Sequence, residues 1–121
     1  MLFRSGQDTL SGGAGNDVFD FDALIGMGST LATADVITDF TPGTNMTPGD
    51  LLDLSTLDAD TTTPLVNDAF SGVFVTNFSA AGQLKFDGGA LYGNTDGNLT
   101  TAEFVIQLTG VTSLAGSDVI L

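Results

Sequence analysis

Apolar residues in this chain fall in short alternating or continuous runs, closed again and again by glycine, asparagine or aspartate. Such runs predict strands rather than helices. The segments 51–55, 72–78, 83–86, 90–92, 103–108 and 118–121 carry this pattern, with Asn77, Gly82, Gly88-Gly89, Gly93-Asn94 and Gly110 as punctuation. Residues 102–107 have some helical propensity, but Phe104-Val105-Ile106 is aromatic and β-branched, which favours a strand. Nine phenylalanines and one tyrosine supply bulk for a small core. The expectation is an all-β fold whose later part is an antiparallel, β-rich cap.

The earlier part has a different period. Gly12-Gly13-Ala14-Gly15-Asn16-Asp17-Val18-Phe19-Asp20 reads as one nonapeptide G-G-x-G-x-D-x-U-x, with U a large apolar residue. The glycines allow a turn that needs φ > 0, Asp17 adds a hard anionic oxygen, and Val18-Phe19-Asp20 starts a strand with one side chain inward. One period upstream, Phe3-Arg4-Ser5-Gly6-Gln7-Asp8-Thr9-Leu10-Ser11 keeps the second half of the motif. Downstream the phase survives at twice the period: Asp17-Val18-Phe19 returns as Asp35-Val36-Ile37, and Asp53-Leu54-Ser55 repeats the aspartate. If a coil comprises two nine-residue turns, with half-turns at Gly26-Met27-Gly28 and Pro42-Gly43-Thr44, Asp17 and Asp35 face one another across a single ion. Ligands made only of carbonyls and carboxylates suit Ca²⁺. The metal set expected is Gly6, Asp8, Gly12, Gly13, Ala14, Gly15, Asp17, Asp35 and Asp39, with Asp50 and Asp53 as further candidates. The inward apolar position is lost at Ser55, which places the end of the coiled part there.

Charge supports a cation. Fifteen acidic residues stand against two basic ones, a formal −13 in 121 residues, and Glu103 is the only glutamate. Such a chain repels nucleic acid and anionic membranes, and its self-repulsion opposes compaction until cations are bound. Without cysteine there is no disulfide framework, and without histidine there is no zinc-protease helix or Ser-His-Asp triad. The glycine turn is not a phosphate loop, since its spacing is not G-x-G-x-x-G and no lysine follows. Asn94-Thr95-Asp96-Gly97-Asn98 is not an EF-hand, because loop positions six and twelve hold Leu99 and Val105; a tight Asp-Gly turn is expected.

These motifs resemble the C-terminal regions of RTX (repeat-in-toxin) proteins. The nonapeptides carry the resemblance first. Asp35-Val36-Ile37-Thr38-Asp39-Phe40 with Asp50-Leu51-Leu52-Asp53-Leu54-Ser55 then looks like that family's exit from its roll. Gly82-Gln83-Leu84-Lys85-Phe86-Asp87, Asp96-Gly97-Asn98 and Ala102-Glu103-Phe104 are similar to the cap of serralysin-type proteases and large adhesins, and Asp118-Val119-Ile120-Leu121 resembles the terminal secretion signature. The resemblance implies a short right-handed parallel β-roll over 1–55 and a cap over 56–121. It implies Ca²⁺ between successive turns, and export of the unfolded chain by a type I secretion transporter that reads Asp118, Val119, Ile120 and Leu121. Folding then follows in extracellular calcium. The chain reads as the non-enzymatic tail of a longer repeat array, joined to upstream domains of an adhesin or of a secreted protease or lipase, the adhesin being preferred.

Overall fold

A computed structural model describes residues 6–121; the Phe3-Arg4-Ser5 part of the upstream repeat lies outside them. The described residues form eight strands: β1 (Thr9–Leu10), β2 (Val18–Asp20), β3 (Asp35–Ile37), β4 (Leu51–Asp53), β5 (Gln83–Asp87), β6 (Ala90–Asn94), β7 (Phe104–Leu108) and β8 (Val119–Ile120), with one 3-10 turn at Gly116–Asp118. The fold is all-β, as the sequence pattern predicts.

Two sheets divide the strands. One has the order β1-β3-β7-β6-β5, the other β2-β4-β8. The chain passes from the larger sheet to the smaller one as β1 leads to β2, again as β3 leads to β4, and a third time as β7 leads to β8. Successive passes pair in parallel: Leu10 with Ile37, Ile37 with Leu108, Phe19 with Leu52, and Leu52 with Val119. The antiparallel hairpin β5–β6 extends the larger sheet, and β6 joins β7.

Alternation explains what is buried. Leu10, Phe19, Ile37, Leu52, Leu84, Leu91, Phe104, Ile106, Leu108 and Val119 belong to one cluster between the sheets. Phe19 and Phe40 meet at a tilt of 44° with ring centroids 6.1 Å apart, and Phe70 meets Phe104 edge-on at 5.6 Å. The cluster takes residues from both sides of position 55, where the roll was expected to give way to the cap. Gly93 lies opposite Phe104 in the β6–β7 ladder. A Cβ there would sit 2.1 Å from the Phe104 ring, so the ring lies over bare backbone. Lys85 and Tyr92 are cross-strand partners, with the ammonium 5.6 Å from the ring centroid.

The strand expected at 72–78 does not form. Within that segment Val75 N–H donates to the Leu84 carbonyl of β5, and just before it Ser71 N–H donates to the Gly82 carbonyl. Gly72 is pressed by the chain at Gly116, where a Cβ would sit 2.3 Å from the Gly72 oxygen. Val73 points to solvent at 73 % exposure, whereas the half-buried Phe74 packs against the core cluster. Its apolar spacing fits a strand, but tertiary contact bends it into a loop.

Candidate metal centre

Between β1 and β2 the chain reverses on glycine. Gly13 has φ 90° and Gly15 φ 110°, a left-handed region that side chains resist, and Gly6 before β1 has φ 107°. Gly12 serves another purpose. A Cβ on it would stand 2.5 Å from Asp17 Oδ2, so the missing side chain leaves the space that the Asp17 carboxylate enters. Asp17 Oδ2 is buried and has no hydrogen-bond partner. Ala14 is exposed at the turn's tip. A buried anionic oxygen without a donor is unfavourable by several kcal/mol unless a cation accompanies it.

Asp39 reaches the same turn from the second pass. Its Oδ1 accepts the Gly12 N–H at 2.9 Å; its Oδ2 accepts the Gly13 N–H at 2.8 Å and the Ser11 hydroxyl at 2.6 Å. The Ser11 bond, followed by the two amides, holds its carboxyl below the usual range. The turn, Asp17 and Asp39 are thus brought together.

Asp35 is not Asp17's neighbour across the coil. It opens β3 in the larger sheet, where its Oδ1 accepts the Asp8 N–H at 2.8 Å and Val36 N–H donates to the Asp8 carbonyl. Asp17 precedes β2 in the smaller sheet and stacks on Asp50, whose Oδ1 accepts the Asp17 N–H at 2.8 Å. The spacing is 27 residues for Asp8 to Asp35 and 33 for Asp17 to Asp50, in place of the expected eighteen. The loops at 21–34 and 38–50 lengthen each pass beyond two nine-residue turns. Burial raises the Asp35 carboxyl's pKa, the Asp8 amide opposes that shift, and the Asp8 charge adds to it.

Two further aspartates act as Asp39 does. Asp50 spans Asp17 N–H and Thr41 N–H, the latter through Oδ2 at 2.8 Å. Asp118 takes Gly43 N–H on Oδ1 and Ala115 N–H on Oδ2, each at 2.9 Å. Both are buried. Their signal lies in the sequence as Asp-x-apolar steps, Asp50-Leu51-Leu52 and Asp118-Val119-Ile120, which match Asp17-Val18-Phe19 better than Asp53-Leu54-Ser55 does. Asp53 accepts the Ser55 amide and hydroxyl instead. It also pairs in register with Asp20, whose own pKa is raised first by burial and then by Asp22 and Asp53.

The loop after β6 closes on itself. Asn94 Oδ1 accepts the Asp96 amide, Asp96 Oδ1 accepts that of Asn98, and Glu103 Oε2 accepts that of Thr95. These are turn bonds, as Asp-Gly chemistry predicts. At the far end Val119 and Ile120 pair with Leu52 and Asp53, so the terminal segment is an edge strand of the smaller sheet.

Among the described residues no three acidic side chains gather as a metal cluster. A cation at the 12–17 turn would rest on main-chain oxygen together with Asp17. The family model described as Peptidase M10 serralysin C terminal matches residues 2–121. A search of curated proteins finds no match.

Proposed function

Because the chain belongs to the Peptidase M10 serralysin C-terminal family, we propose that it is a calcium-binding RTX tail of a larger secreted protein. It completes its fold on Ca²⁺ outside the cell and carries the type I secretion signal. The observation behind this is the buried, unpartnered Asp17 Oδ2 pressed into the space that Gly12 leaves open. Calcium takes carboxylate and carbonyl oxygens; the glycine turn exposes the carbonyls without side-chain obstruction, and Asp17 supplies the carboxylate. The formal −13 charge adds long-range attraction for the ion. Ligand binding to the folded state alone then becomes folding free energy, about 2.7 kcal/mol at a hundredfold excess over Kd.

Asp118 through Leu121 have two roles at different times in this reading. They are the transporter's address while the chain is unfolded, and they become β8 with its Asp118 hydrogen bonds after folding. The matching family carries a peptidase's name, which supports a secreted protease as the parent over the adhesin. The 121 residues hold no histidine for a catalytic base or zinc ligand, so the parent's chemistry is assigned to its upstream domains.

The test is circular dichroism with thermal melting in excess chelator and in millimolar Ca²⁺. Calcium is expected to raise the midpoint by about 10 °C, and Asp17→Asn to remove most of that rise. Identical spectra and midpoints in the two conditions refute the proposal.

A further inference from the structure

Among the aspartates beside the strands, two physical kinds stand apart. Asp17 has a buried oxygen with no donor. Asp39, Asp50 and Asp118 have both oxygens engaged by N–H or O–H donors at 2.6–2.9 Å. The donors are largely main-chain amides of the preceding pass: Gly12 and Gly13 for Asp39, Asp17 for Asp50, and Gly43 for Asp118. These amides sit in turns outside the sheet ladders, where a buried N–H needs an acceptor. A carboxylate so held has its charge compensated by fixed dipoles and needs no cation.

We infer that Asp39, Asp50 and Asp118 are amide clamps that brace one pass of the chain against the next without calcium, and that the demand for calcium is confined to the first pass. The inference rests on the calcium reading above and divides the acidic residues within it. Thr41 N–H to Asp50 and Gly43 N–H to Asp118 tie the second pass to itself and to the third. Together with the β3–β7 and β4–β8 pairings, they form a portion that has no unpartnered carboxylate oxygen buried in it among the described residues. The first pass contributes the glycine turn and Asp17. Calcium therefore adds the first pass to a brace that already exists, rather than nucleating the whole molecule.

Amide hydrogen exchange on the 121-residue chain separates the two halves. In excess chelator the Thr41 and Gly43 amides and those of β3 and β4 are expected to exchange about tenfold or more slower than unstructured peptide, while Gly15 and Asn16 exchange freely. Millimolar Ca²⁺ is expected to slow Gly15 and Asn16 as well. Bound calcium is counted by equilibrium dialysis for the wild type, Asp17→Asn, Asp50→Asn and Asp118→Asn. The clamp variants should bind as many ions as the wild type and melt about 5–10 °C lower. Asp17→Asn should bind fewer ions and keep the protection at Thr41 and Gly43. Loss of an ion in Asp50→Asn or Asp118→Asn overturns the inference. So does a wild type in chelator with no protection at Thr41 and Gly43, even though its calcium response would leave the proposed function standing. A wild type that binds no calcium at all removes the proposed function itself.

Discussion

Asp39 and Asp35 respond to acid in opposite senses. Asp39's folded pKa lies below its ordinary 3.8 because Ser11, Gly12 and Gly13 donate to it. Its contribution is therefore present above that value and is lost as pH falls through the depressed one. Asp35's folded pKa lies above 3.8, mainly through burial. Its charge weighs against folding at neutral pH, and that burden is relieved as pH falls toward 3.8. In chelator, the melting gap between the wild type and Asp39→Asn should narrow below about pH 4. Asp35→Asn should match or exceed the wild type at neutral pH and lose that advantage in acid. Gaps that hold constant with pH would contradict both. Gly93 makes a steric prediction. With the Phe104 ring 2.1 Å from any added Cβ, Gly93→Ala should lower stability by about 3 kcal/mol in urea unfolding. Gly93 reads from sequence only as turn punctuation, since nothing local shows that an aromatic ring lies across from it.

At the scale of elements, β8 shows how a two-residue strand can matter. It pairs with β4, receives Leu54 N–H on the Ile120 carbonyl, and brings Asp118 under Gly43. Deleting 118–121 should lower the melting midpoint on the order of 10 °C and, by the proposed function, abolish export through a type I transporter. Normal export with lowered stability would leave only the strand role. Five of the six strand segments were legible because half-buried strands alternate or run apolar. The failure at 72–78 followed the same rule into a place where Gly72 is crowded by Gly116. Parallel partners were harder to read. A hairpin announces its partner through its turn, but Asp8 meets Asp35 across 27 residues and Asp17 meets Asp50 across 33, and no local hydrogen bond marks either distance. The nine-residue phase held through Asp8 and Asp17, then failed where loops enter. The turn and the aspartates around it, Asp39 and Asp50 included, were therefore visible in the sequence, while which of them meet was not.

At the scale of the whole molecule, fifteen acidic residues against two basic ones set a background that any cation relieves. Sodium chloride at about 0.5 M, where the Debye length is only a few Å, should raise the melting midpoint in chelator. Millimolar Ca²⁺ should raise it further, because screening cannot supply a partner to Asp17 Oδ2. Equal effects of the two salts would reduce calcium to a counterion. The Gly43–Asp118 bond has a consequence in time. Its two ends are 75 residues apart, and synthesis delivers them in order at about 5–20 residues per second. For several seconds a chain emerging from the ribosome presents Gly43 with no Asp118 to meet it. The third pass cannot close during that interval, so the first two passes emerge and must wait, unbraced at Gly43, until the last residues of the chain arrive.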